Sequence, residues 1–172
     1  MGEKVTVSQV SIKYGLITGL VLVVYNLALY MTGLFTNDKL GWITYVILIV
    51  MIYLAHKAFK DGGDGFMTLG QGLGVGMLVT VIGGVITSLF SYFYIKFVDE
   101  TIIEQILEVA RVKMEEQGLD DDQIDQALSI SEKMMTPEMM VIWGILGMVI
   151  IGFVIALIVS LFTKKNNPEA QY

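Results

Sequence analysis

The sequence predicts an all-α membrane protein: four transmembrane helices, with an amphipathic helical hairpin between the third and the fourth. Three observations predict it. Residues 14–35, 40–55, 66–95 and 139–162 contain no Asp, Glu, Lys or Arg, and a hydrocarbon core about 30 Å thick takes roughly 20 apolar helical residues to cross. Apolar residues make up 55% of the 172, more than a soluble domain of this size can bury. The remaining charge is segregated. Residues 96–138 hold four basic and twelve acidic side chains, a net of −8, whereas the rest of the chain holds seven against five, a net of +2.

The first span covers about 14–35. Lys4 and Lys13 precede it as a basic flank would, but its 22 residues exceed the apolar core of a secretory leader and no small-x-small cleavage site follows. It reads as a retained helix. A polar turn at 36–39 leads to the second span, about 41–57, which opens with Gly41-Trp42 and closes at His56-Lys57. The glycine-rich stretch 60–65 is a chain break. Block three runs 30 residues without charge, which as one helix would reach about 45 Å. The span proper is therefore placed at about 73–96, with the glycine-rich start at 66–74 as an interfacial or extended, tilted entry. The fourth span, about 137–162, has a defined beginning: Thr136 as N-cap, Pro137 at the first helical position and Glu138 favourable to the helix dipole.

Residues 97–136 read as an acidic helical hairpin. In its first helix Ile103, Leu107, Ala110 and Met114 form an apolar stripe opposite Glu100, Glu104, Glu108, Arg111 and Glu115. Gly118 ends that helix. In the second, Asp120 is an N-cap with Gln123 three residues on, and Ile124, Ala127, Leu128, Ser131 and Met135 share one side.

Four spans put both termini and the 56–65 loop on one side, together with Lys4, Lys13, Lys57, Lys60, Lys164 and Lys165. Short basic loops stay cytoplasmic, so the expected topology has cytoplasmic termini and an extracytoplasmic hairpin. Tyr14, Trp42, Tyr92, Phe93, Tyr94 and Phe162 fall near the span ends, where amphipathic rings sit at headgroup level.

Lipid tails compete with leucine on equal terms, so membrane helices associate where small side chains let backbones approach. Gly72, Gly76, Thr80, Gly84 and Ser88 recur every fourth residue in the third span. Gly152, Ala156 and Ser160 do so in the fourth, and the first offers Gly15 and Gly19. These predict a helix-packing seam inside one bundle; homo-oligomerisation through the same stripe is the alternative.

Chemistry is sparse. There is no cysteine, hence no disulfide or thiolate site, and a single histidine. The spans lack acidic and basic residues, which argues against a proton-coupled pump. Asn26, the polar residue within the first span, is expected to bond across to a neighbouring helix. His56 has no second histidine or spaced methionine for haem or metal, and reads as an interfacial or helix-end group. Asp121-Asp122-Gln123-Ile124-Asp125 fits an acidic pattern that binds magnesium-diphosphate, yet no second acidic motif or basic clamp accompanies it, and acids stabilise a helix N-terminus anyway. The 61–65 loop lacks the Gly-Lys-Ser/Thr ending of a phosphate loop. No basic surface supports nucleic-acid binding. The reading contains no catalytic residue, no cofactor and no metal.

The order of Lys13-Tyr14-Gly15-Leu16, the Gly62-Gly63 turn, the glycine-spaced entry at 66–76, the segment 92–98 and the acidic insertion before the last span resembles the domain of unknown function 4199 family over about residues 8–163. That resemblance implies a small multi-pass protein of the bacterial inner membrane and supplies no activity. The functional expectation is a non-enzymatic interaction or accessory protein whose partners are the lipid bilayer and, through residues 97–136, another protein. A small channel or transporter component, or a lipid-binding membrane protein, is the alternative. A membrane enzyme using the 120–125 carboxylates with a divalent cation is the third.

Overall fold

The computed structural model describes residues 5–167, all helical apart from turns, loops and one isolated backbone bridge. Lys4 lies outside them. Six helices follow in order: α1 Val7–Thr32, α2 Asp38–Asp61, α3 Leu69–Phe97, α4 Thr101–Glu116, α5 Asp121–Met134 and α6 Pro137–Thr163. They divide into two compact units, one comprising Met1–Thr87 with Ile145–Tyr172 and the other Ser88–Gly144.

In the first unit the caps explain where helices start. The Thr6 hydroxyl accepts from Gln9 N–H while Gln9 Oε1 accepts from Thr6 N–H, a reciprocal capping box that opens α1. Gly33 closes it at φ 67°, a left-handed conformation that a β-carbon would strain. Asn37 caps α2 through Lys39 N–H. The same reciprocal box recurs before α3, where Thr68 Oγ1 accepts from Gln71 N–H and Gln71 Oε1 from Thr68 N–H. Of the expected interfacial or extended entry, the box corrects the extended form from Leu69 onward. The chain is helical from Leu69, and Gly72 packs against Ser160 as the expected seam requires. The signal lay in Thr68-x-x-Gln71, which the glycine count obscured.

α3 and α6 run antiparallel with a four-residue register. Gly72 faces Ser160, Gly76 faces Ala156, Thr80 faces Gly152 and Gly84 faces Met148. Each rung contains a glycine on one side and a larger residue on the other, so the two backbones approach as closely as one side-chain layer allows. A methyl on Gly76 would lie 2.6 Å from the Ala156 β-carbon and 3.2 Å from its α-carbon, and one on Gly152 would overlap the Thr80 side chain. On the other side of α3, Gly15 and Gly19 of α1 receive Ile82 and Ile86 at the same spacing. α2 joins through Ile52, which also abuts Gly76. The buried apolar core is Val10, Leu22, Leu48, Ile52, Ala55, Phe59, Met67, Val75, Val79, Ile155, Ala156 and Val159.

Outward, the four long helices are apolar. Only 22%, 33%, 33% and 22% of their most hydrophobic stretches are buried, in chain order, and Leu20, Val24, Met31, Val46, Ile150 and Phe153 are among the exposed side chains. An apolar surface of that extent is stable in lipid and not in water. The fold is that of a multi-pass membrane protein with four candidate spans.

The second unit holds the hairpin. Gly118, at φ 79°, turns the chain between α4 and α5, and Asp120 with Gln123 forms another capping box. Ile124 and Leu128 are buried as the sequence stripe predicts, whereas in α4 the fully buried residue is Ile102 and the stripe beginning at Ile103 is only half-buried. Arg111 bridges to Asp125 at 3.0 Å. Both groups are largely exposed, so the pair adds little stability and mainly fixes the pairing of the two helices. Lys96 near the end of α3 pairs with Glu138 in the first turn of α6 at 2.5 Å, and also donates to the Tyr92 hydroxyl. Gly144 faces Ser88, repeating the glycine-opposite-larger rule within this unit.

Candidate functional site

Several chain segments of the first unit are tied at one end. Val5 N–H donates to the Gly62 carbonyl at 3.3 Å. Met67 and Lys165 exchange both backbone hydrogen bonds, at 2.8 and 2.9 Å, pinning the lead-in of α3 to the segment after α6. Lys165 also stands over the Phe66 ring. Lys60 Nζ donates to the Thr163 carbonyl, one of the free carbonyls at the end of α6, where a cation favours the helix dipole.

Beneath this closure lies His56, fully buried and the one buried ionisable side chain among the described residues. Of the expected interfacial or helix-end placement, the helix-end one is corrected: the side chain is buried, five residues before the end of α2. α2 continues to Asp61, beyond the second span's expected end at 57, and Phe59, three residues on, is buried as well. Nε2 lies 2.8 Å from the Gly72 carbonyl of α3, and Nδ1 lies 2.8 Å from Thr163 Oγ1 of α6. One side chain of α2 therefore joins three helices. Glycine at 72 is part of that geometry, since the ring reaches the α3 backbone where no side chain intervenes.

The hydrogen count of this site is informative. A carbonyl only accepts, so Nε2 carries a proton and donates to Gly72. Thr163 has one hydroxyl proton and two acceptors for it, its own-helix carbonyl Val159 at 2.7 Å and His56 Nδ1 at 2.8 Å. With neutral imidazole the hydroxyl donates to Nδ1. If Nδ1 is protonated, the hydroxyl rotates to Val159 and its oxygen accepts from the ring. Ser160, one turn before Lys164 and packed over Gly72, is buried with its hydroxyl unpartnered. Its role in the rung is size.

The other sequence-selected residues separate clearly. Gly72, Gly76, Thr80, Gly84, Gly152, Ala156 and Ser160 come together along the α3–α6 contact, Gly15 and Gly19 on α1–α3, and Ser88 on Gly144 in the second unit. Among the described residues, the hydrogen bond Asn26 makes runs within α1 and not across to another helix. Its Nδ2 donates to Leu22 O in the preceding turn at 2.8 Å, because a short amide reaches its own i−4 carbonyl without a partner helix. The cross-link in that region comes from Tyr25, whose hydroxyl donates to Leu40 O of α2 at 2.7 Å. In the acidic stretch 120–125, Asp120 caps α5 and Asp125 pairs with Arg111. Among the described residues no three His, Asp or Glu side chains converge as a metal would need.

Sequence reasoning missed the His56–Thr163 pairing, 107 residues apart in the chain. Its available signal was a histidine and a threonine each near the same end of an apolar block, which only the helix register turns into a contact.

No curated protein and no solved structure matches the chain. The family described as protein of unknown function (DUF4199) matches residues 13–165, a stretch that holds the whole α3–α6 seam, the hairpin and the His56 triad. By that coverage the chain belongs to the DUF4199 family.

Proposed function

We propose that the protein is a non-enzymatic accessory or interaction component of the bacterial inner membrane, with cytoplasmic termini and an extracytoplasmic hairpin that binds another protein. The observation that carries this reading is the surface of α4 and α5. The segment 96–138 has eight more acidic than basic residues, and among its carboxylates stand Val112, Ile130 and Met134, apolar side chains left exposed on the hairpin. Apolar anchors rimmed by one sign of charge favour a partner with a complementary, basic surface. The basic residues Lys13, Lys57, Lys60, Lys164 and Lys165 support the assigned orientation through the charge bias of short cytoplasmic loops.

The test places a photo-reactive residue at Ile130 in cells. One discrete heavier adduct is expected, and the double variant Glu104→Lys, Glu108→Lys should reduce its yield at least about tenfold, as like-charge juxtaposition costs several kcal/mol. A smear of adducts indistinguishable from that of a probe at lipid-facing Ile150, or an adduct insensitive to the charge reversal, would overturn the reading.

A further inference from the structure

Where α1 begins and α2 ends, the first unit has an open cleft of about 410 Å³ lined by Val5, Gln9, Val10, Lys13, Tyr14 and Ala58. We propose that this cleft binds the headgroup of an anionic phospholipid, with Lys13 as the residue that recognises its phosphodiester. The volume is that of a small-molecule site. Its lining is divided between three polar and three apolar side chains, as a glycerol-phosphate joined to acyl chains requires.

Lys13 is exposed on a helix whose next two turns are apolar, and among the described residues no carboxylate pairs with it; its one neighbour of note is the Tyr14 ring, 5.9 Å from Nζ. A lysine there keeps its ammonium at headgroup level, and no described carboxylate neutralises it. Gln9 adds a donor. Its Oε1 is fixed on Thr6 N–H at 2.9 Å, which leaves the NH₂ group for an outside acceptor. Tyr14 belongs to the same lining.

The cleft lies level with the helix ends, since Val5 N–H bonds Gly62 O beside it. Further into the helices, the exposed apolar side chains Leu16 and Leu20 continue the Gln9–Lys13 face of α1, and Leu54 of α2 stands one turn before Ala58. A headgroup in the cleft thus leaves its acyl chains on an apolar surface, which a free phosphate cannot use. The assignment is independent of the hairpin's partner and of which way the chain is inserted.

The experiment follows thermal unfolding of the detergent-purified full chain with added phosphatidylglycerol, phosphatidylcholine or inorganic phosphate, and counts bound lipid by native mass spectrometry. Phosphatidylglycerol should raise the midpoint by about 5 °C, the size expected of a ligand well above its Kd, with one tightly held lipid per chain. Phosphatidylcholine and inorganic phosphate should give no comparable rise. Lys13→Gln should unfold at the lipid-free wild-type midpoint and lose both the rise and the bound lipid; Lys13→Arg should retain them. An undiminished rise in Lys13→Gln would overturn the site. An equal rise with phosphatidylcholine would overturn anion recognition, and an equal rise with inorganic phosphate would overturn the lipid as the occupant.

Discussion

Gly76→Leu is expected to abolish recovery of folded, monodisperse protein, and Gly152→Leu to do the same. At both positions the facing helix already occupies the space of a β-carbon: Ala156 stands opposite Gly76, with Ile52 of α2 on the flank, and Thr80 stands opposite Gly152. Overpacking a filled core costs about 1–3 kcal/mol even for small insertions, and a leucine adds four carbons where one does not fit. The backbone atom among the contacts, the α-carbon of Ala156, cannot rotate away as a side-chain tip would. Separating α3 from α6 would also break the Met67–Lys165 bridge and the His56–Thr163 contact at the closed end. Size-exclusion profiles and thermal midpoints in detergent check it. Gly147→Leu is the control, because a β-carbon there meets nothing within 4 Å, and it should unfold within a few degrees of the wild type. Ser160→Ala should equal or exceed the wild-type midpoint, since it keeps the rung's size and removes an unpartnered buried hydroxyl.

His56→Leu is the second large effect, expected to cost about 2–3 kcal/mol of stability through two lost hydrogen bonds and the polar atoms they leave facing an apolar side chain. The leucine keeps most of the ring's volume, so the loss reports bonding rather than a cavity. Thr163→Val should cost about half as much, because it leaves only Nδ1 without a partner while Nε2 still reaches Gly72. The two substitutions share one contact, so the double variant should fall short of the sum by about 1 kcal/mol. Additivity of the two would show that the ring and the hydroxyl do not interact. Thermal midpoints of the three variants in one detergent supply the comparison.

The four long apolar helices and the acidic insertion were legible because bilayer crossing demands long uncharged runs and the insertion breaks them. The small residues were legible too, since a four-residue repeat of Gly, Thr and Ser has few uses in an apolar helix. Register was not. That Gly76 meets Ala156 while Thr80 meets Gly152 depends on how far α6 slides along α3, and every four-residue offset preserves the same stripes. His56 escaped for a related reason. An apolar block ends where hydropathy falls, but α2 continues past Lys57 to Asp61, and packing there decides burial. Asn26 shows the reverse case, a polar residue whose need is met one turn away, so its presence said nothing about a neighbour. In α4 the stripe at 103, 107, 110 and 114 marks the inward side, while the fully buried residue is Ile102, a shift that a short helix with one partner permits.

The proposed function requires four lipid crossings with the hairpin in water opposite the chain ends, and the absence of native cysteine makes single-cysteine labelling by a membrane-impermeant maleimide its most direct test. Gly118→Cys should label in intact cells, Asp61→Cys only after permeabilisation, and Ile150→Cys in neither until the membrane is dissolved. Labelling of residue 150 by the aqueous reagent in intact membranes, or of residues 118 and 61 from the same side, would contradict it.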